Sequence, residues 1–308
     1  MINRILIRIK VLQTLFACYQ GGENDCKVAE NALLMSLRRS YDLYYYFLLL
    51  IVEVTFMQER KIDAGRHKLL PTEEELNPNM RFVNNRFVRQ LGSNAMMLSY
   101  AKEHGISWTN EQGFVRKVLN IILSSDIYRA YMDSDDDSYQ ADRELWRAIF
   151  KHLISGNEDL QADLEDISIY WNDDVEIIET FVIKTIKRFD ETAGAAQELL
   201  PMFRDQADYE FAVNLFRLTL QQKDYVNDII YRHTRNWDSE RVATMDMIIM
   251  QLALTEMLNF PEIPINVTLN EYIDAAKYYS TPKSAVFING ILDSIVKELK
   301  NKKILLKE

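Results

Sequence analysis

The chain has 308 residues, with 36 Lys+Arg against 46 Asp+Glu for a net charge of −10, and 48% of its residues are hydrophobic. That is ordinary apolar content for a protein with a sizeable core, but its 9 glycines and 6 prolines are roughly a third to a half of usual usage. The shortage predicts an all-helical fold and argues against glycine-rich phosphate loops, while two cysteines are too few for a disulfide scaffold or a four-thiolate zinc site.

The opening stretch reads as a helix. Ile5, Ile9, Leu12, Leu15, Phe16 and Tyr19 recur three or four apart and predict one apolar stripe. Arg4 and Arg8 are an i,i+4 pair on a shared face. With Lys10 they make the start purely basic, since the first acidic residue is Glu23. Gly21-Gly22 predicts the stop. Leu15-Phe16-Ala17-Cys18 faintly resembles a lipoprotein cleavage box, but the uncharged run there is too short and too polar for a signal sequence. A second helical run follows over residues 30–60. Its apolar stretch, 43–52, is fenced by Asp42 and Glu53 and falls well short of the ~20 residues that span a bilayer. It predicts a buried core helix and no membrane.

Residues 61–203 carry 16 basic and 25 acidic side chains, a net −9 of the chain's −10, so nearly all the net negative charge lies there. Pro71 and Pro78 bracket a Glu-rich, turn-forming stretch, and amphipathic runs follow at 113–132, 142–153 and 174–189. Asp133-Ser134-Asp135-Asp136-Asp137 lacks the placed Gly and Glu of an EF-hand loop and reads as a solvated loop or cap. Glu158, Asp159, Glu165, Asp166, Asp173, Asp174 and Glu176 have no ligand spacing and read as an exposed acidic face.

The last third is the most regular. Helical patterning runs through 208–233, and Val242, Met245, Ile249 and Leu252 mark a further amphipathic helix. Pro264 precedes a helix at about 267–279. Thr281-Pro282 predicts the N-cap and first residue of a final helix. Its buried face is Phe287, Ile288, Ile291, Leu292, Ile295, Val296 and Leu299. Gly290, inside that pattern, predicts close approach by another helix. Pattern and charge together divide the chain into 1–60, 61–203 and 204–308.

No nucleophile–base pair, metal-binding His/Glu spacing or glycine-rich loop stands out, and the four histidines are widely spaced. The expectation is a binding protein rather than an enzyme, without metal or cofactor, in a reducing cytoplasm. The overall charge opposes non-specific nucleic-acid binding. A local basic patch can still hold single-stranded RNA whose bases supply specificity. The alternative is that Arg4, Arg8 and Lys10 are the wet face of an amphipathic helix.

One succession of motifs is distinctive. Ser239-Glu240-Arg241-Val242-Ala243-Thr244-Met245-Asp246 leads into the apolar run 248–258, then Ile263-Pro264, Leu269-Asn270-Glu271, Ala276-Lys277 and Phe287-Ile288-Asn289-Gly290-Ile291-Leu292-Asp293. This resembles the NusB family of bacterial transcription antitermination factors, strongly over 205–308 and more weakly over 1–60, where Arg4, Arg8, Gln13, Leu15 and Phe16 resemble the family's first helix. The resemblance implies an all-α fold of packed helical bundles. It implies binding to the boxA element of ribosomal RNA leader transcripts jointly with NusE, a small-subunit ribosomal protein, in a complex with elongating RNA polymerase. Carried over, the RNA-facing positions are Arg4, Arg8, Lys10, Lys277 and Lys283, and the NusE-facing positions are Phe16, Glu240 and Asp246. Two features depart from the family pattern: Ile5, Leu6, Ile7 and Ile9 interrupt the basic start, and 61–203 reads as an added helical segment of unassigned role. The alternatives are a protein-only scaffold and a relative of the NusB-like domain of RNA cytosine methyltransferases. The latter would need a glycine-rich cofactor domain and a catalytic Cys motif, and neither is found in these residues.

Overall fold

The computed structural model describes residues 1–22, 25–234 and 243–306. Among them no strand forms, and the expected all-α class holds. Met1 with Arg38–Met202 makes one compact unit, and Ile2–Leu37 with Phe203–Glu308 makes the other. The division falls inside one long helix rather than at residue 60, where pattern and charge place it.

The second of these, the terminal unit, is built on α1 (Arg4–Gly21), the first turns of α2 (Cys26–Arg66), α11 (Gln206–Gln221), α12 (Lys223–His233), α13 (Thr244–Asn259), α14 (Ile265–Tyr279) and α15 (Ser284–Asn301). Asn3 caps α1 by accepting from the Leu6 N–H at 2.9 Å. Gly22 closes it at φ 65°, a left-handed conformation that favours glycine. Helix α13 is the centre: every residue from Ile248 to Met257 is buried, as expected of a helix packed on all sides. Around it pack α1, α11, α12, α14 and α15. An isolated parallel bridge joins Ile2 to Phe203.

Four local expectations for this unit need correction. On α1 the buried set is Leu6, Ile7, Val11, Leu12 and Leu15, while Ile5 is 46% exposed and Ile9 only half-buried. The single stripe is therefore a wide arc rotated from the predicted one. Helix α15 starts at Ser284, because Thr281–Lys283 form a turn in which the Ser284 N–H donates to the Thr281 carbonyl at 2.9 Å. Phe287 lies half-buried, whereas Leu292 is fully buried. Gly290 is exposed, and a Cβ there would meet nothing within 4 Å among the described residues, so it serves no close helix approach.

The central unit holds the remainder of α2, then α3 (Glu73–Leu76), α4 (Arg86–Gly92), α5 (Ala95–His104), α6 (Gln112–Ser124), α7 (Asp126–Asp133), α8 (Tyr139–Ile149), α9 (Glu158–Ile167) and α10 (Val175–Arg188). By length and composition α2 could cross a membrane, but 67% of its most apolar window is buried inside the protein. Leu43, Tyr44, Phe47, Leu48 and Ile51 form the predicted core helix. Tyr46 on α2 offers its carbonyl to the Trp108 indole N–H at 2.8 Å, and Phe47 meets Phe150 edge-on.

The looser patterning of this region has a local cause. Asn85, Asn94, Ser125, Ser138 and Asn157 each accept from a backbone N–H three residues on and start α4, α5, α7, α8 and α9. Ser125 thereby splits the run 113–132 into α6 and α7. The carbonyls of Ser134, Asp136 and Asp137 accept from Arg81 and Arg86, so the acidic loop is tied down through its backbone. Along 158–176 most carboxylates are exposed as expected. Asp174 is not: it is fully buried and accepts from the Ser40 hydroxyl at 2.6 Å.

Candidate nucleic-acid interface

The two arginines of α1 have opposite fates. Arg8 is 6% exposed. Its Nε and Nη2 donate to the two carboxylate oxygens of Glu256, each at 2.8 Å, and its Nη1 lies 3.5 Å from Glu271. The Thr268 hydroxyl donates to Glu256 at 2.8 Å and the Tyr272 hydroxyl at 3.2 Å. Four donors thus converge on a carboxylate with no exposure of its own, the condition under which a buried charge is tolerated. Burial alone would lower the Arg8 guanidinium. The hydrogen bonds and charge of Glu256 outweigh it and hold Arg8 above its ordinary value. Burial pushes the Tyr272 phenol far up, and the neighbouring Glu256 charge pushes the same way. Burial also raises Glu271, against the pull of Arg8.

Arg4 sits nearer the surface, its side chain 28% exposed, with Nε 3.4 Å from Asp208 and Nη1 3.7 Å from Glu262. Both guanidiniums lie over the Phe211 ring, at 4.8 and 5.3 Å from its centroid, which adds cation–π attraction. Lys10 is 2% exposed. Of the three basic residues at the start of the chain, then, only Arg4 offers charge to solvent. Arg8 and Lys10 are turned inward, because the wide apolar arc of α1 carries them with it.

At the other end of the sequence the placement differs. Lys277, on the last turn of α14, is exposed and pairs with Asp274 at 2.7 Å. Lys283 is exposed just before α15. Tyr278 and Val286, 84% and 80% exposed, flank them. This end of α14 and start of α15 therefore combine exposed cations, an exposed aromatic ring and the open backbone of Gly290.

Among the partner-facing candidates, Phe16 is half-buried. Asp246 is 5% exposed and accepts from the Ser280 hydroxyl and, at 2.9 Å, the Ser284 hydroxyl. It ties the start of α13 to the start of α15, a structural position that turns its charge away from solvent. Glu240 lies outside the described residues.

The comparisons with known proteins fall on the same part of the chain. The profile of the NusB family matches residues 173–297. The transcription antitermination protein NusB of Salinibacter ruber is 38% identical over 124 residues, which are 38% of this chain and 78% of that protein. The chain belongs to the NusB family. The NusB of Geobacter sulfurreducens is 37% identical over 119 residues, 37% of this chain and 86% of its own length. That of Desulforapulum autotrophicum is 34% identical over 126 residues, 39% and 87% respectively. No solved structure matches. Each of these matches leaves more than half of the chain unaligned. The family match begins at residue 173, so it takes in α10, which lies within the region expected to be wholly an addition.

The Arg8–Glu256 pair and its Thr268, Tyr272 and Glu271 partners were not foreseen. A signal for it exists in the sequence. Glu256 is the one charged residue in the apolar run 248–258, and a carboxylate buried within such a run needs hydrogen-bond donors or a cation to stay charged.

Proposed function

We propose that this long member of the NusB family is a cytoplasmic transcription antitermination factor that binds boxA-type RNA together with NusE and acts on elongating RNA polymerase. The observation that carries the reading is the similarity to proteins named transcription antitermination protein NusB, spanning 78–87% of three of them. The geometry supports a particular RNA surface: Lys277 and Lys283 at its centre, and Arg4 able to exchange its long ion pairs for phosphate. Arg8 and Lys10 shape that surface from inside. Phe16 and Glu240 are the contact candidates for NusE, while Asp246 ties the start of α13 to the start of α15.

A chain of net charge −10 repels phosphate at long range, so the free protein binds boxA RNA weakly. A basic ribosomal protein docked on it reverses that field. Fluorescence anisotropy with labelled boxA RNA, with and without purified NusE, tests this. Tight binding only in the presence of NusE is expected. Binding to NusE with no RNA retained would replace the reading by that of a protein-only scaffold, which the inward-turned Arg8 and Lys10 favour.

A further inference from the structure

The central unit carries a basic groove of its own. It runs between the C-terminal part of α2 and α6 and encloses about 470 Å³. Its walls present Arg60 and Lys61 from α2 and Arg116 from α6, with the amides of Gln112 and Asn120, over a floor of Met57 and Leu119. No carboxylate lines it. That is notable in a region where acidic side chains outnumber basic ones 25 to 16. Arg60, Lys61 and Arg116 are all exposed, and none is in an ion pair among the described residues. Some other cations of the unit are matched, Lys117, Arg129 and Arg147 with Asp163, Asp126 and Glu144. On α2, Asp63 faces His67 at 3.5 Å, and neither Asp63 nor Glu59 lines the groove.

An aromatic platform adjoins the cations. The Phe56 ring is 49% exposed, and the Arg60 guanidinium lies over it at 4.7 Å from the centroid while donating to Gln112 Oε1 at 3.4 Å. Stacked guanidinium, exposed ring, amides and apolar floor beside cations are the surface chemistry of a single-stranded nucleic-acid track. Exposed cations bind isolated anions weakly, since each contact is screened and exchanges with water. A polymer that supplies several phosphates at once gains from all of them together.

We propose that the α2–α6 groove is a second RNA contact, in which Arg60, Lys61 and Arg116 bind the phosphates of single-stranded RNA and Phe56 stacks a base. The choice of RNA as the polyanion rests on the transcript-binding reading above. The site is separate in sequence from the NusB-like match and gives the long form a hold on transcript outside boxA.

The test uses the full chain and a labelled 20-nucleotide oligouridine, which contains no boxA. Wild type binds it at low salt. The Arg60→Ala/Lys61→Ala/Arg116→Ala variant binds at least fivefold more weakly, and its slope of log affinity against log salt falls by about 2, from ~0.7 per phosphate contact on a single strand. Arg116→Glu alone, with an unchanged thermal midpoint, guards against a folding defect and weakens binding in the same direction. Short boxA RNA with NusE binds both variants as it binds wild type. Failure of wild type to bind oligouridine, or equal affinity and slope in the variants, overturns the groove, including in favour of an acidic protein as its occupant. Groove-dependent oligouridine binding without boxA binding would keep the groove and sink the boxA reading.

Discussion

The two units bury charge by different means. In the terminal unit the innermost carboxylate, Glu256, is held by a guanidinium, with hydroxyls completing its shell. In the central unit the shortest hydrogen bonds to buried carboxylates come from neutral donors, to Asp174 from the Ser40 hydroxyl and to Asp142 from the Tyr131 hydroxyl at 2.6 Å and the Arg86 backbone N–H at 2.8 Å. Guanidiniums stand farther off, Arg86 Nε 3.5 Å from Asp142 and Arg39 Nη1 3.3 Å from Asp42. A cluster of tyrosines, with Tyr45 and Tyr100 stacked at 4.0 Å, meets Asp42 through the Tyr100 hydroxyl, which donates at 2.8 Å. An ion pair keeps its charge across the physiological range but fails badly if one member is lost. A carboxyl raised by burial, as Glu179 is, gains and loses its charge nearer neutral pH. The terminal unit should therefore break by mutation, and the central unit should respond to pH.

The largest effect is expected at Arg8. Arg8→Ala leaves Glu256 charged, buried and short of two hydrogen bonds, a loss of about 3–5 kcal/mol. Urea unfolding of the variant checks it. Glu256→Gln in the same background should recover part of the loss by removing the orphaned charge. A cost below about 1 kcal/mol, the worth of a surface pair, would erase the contrast between the units.

The pH contrast rests on Glu179, 2% exposed on α10. Burial pushes its carboxyl from the ordinary 4.5 up to about 7, and the charge of Glu176 adds to the rise. A carboxyl raised on folding contributes stability that is fully present below about pH 4.5 and is lost as pH rises through about 7. The shift corresponds to about 3 kcal/mol between those limits. Glu179→Gln stays neutral, so it should be more stable than wild type at pH 8 by up to that amount and similar to it at pH 4.5. Thermal midpoints at pH 5, 6, 7 and 8 decide; parallel profiles for the two proteins would place the pH response elsewhere.

Asp246 sharpens the comparison, because in the terminal unit it is the carboxylate held by hydroxyls alone in the described contacts. Asp246→Ala leaves the Ser280 and Ser284 hydroxyls without their acceptor and should cost about 1–3 kcal/mol. Calorimetry with NusE separates this from a partner contact. A folded variant with normal NusE affinity assigns the residue to the helix junction.

The fold class was legible because helical periodicity and the scarcity of glycine and proline are properties of the whole chain. Helix ends were less so. The apolar period runs straight through Ser125, yet its hydroxyl accepts from the Tyr128 N–H at 3.1 Å and starts a new helix. Pro282 has the fixed backbone of a first helical residue, yet the turn begun at Thr281 delays α15 to Ser284. The site residues were harder still. Periodicity assigns charged residues to the wet face, and that assumption fails at Arg8, where a distant carboxylate 248 positions away pays the desolvation cost. Lys277 and Lys283 were legible through the family resemblance rather than through spacing, since Ile273 lies four residues before Lys277, and Val286 and Phe287 lie three and four after Lys283.

Those two lysines give the smallest effect on stability and a clear one on binding. Both are exposed. Among the described residues Lys277 pairs with Asp274, itself exposed, a pair worth little in water. Lys277→Ala/Lys283→Ala should change unfolding free energy by no more than about 0.5 kcal/mol per site, the ordinary range for surface substitutions. If both lysines meet phosphates of single-stranded boxA RNA, the same variant lowers the salt slope of the ternary complex by about 1.4, at ~0.7 per contact. The loss should be similar for boxA and for a scrambled sequence, because a lysine reads charge and not base edges. Anisotropy titrations with NusE at several salt concentrations measure slope and affinity together. An unchanged slope would move the RNA surface away from the α14–α15 junction and leave Arg4 as the remaining solvent-facing candidate, its ion pairs with Asp208 and Glu262 at 3.4 and 3.7 Å long enough to yield to phosphate.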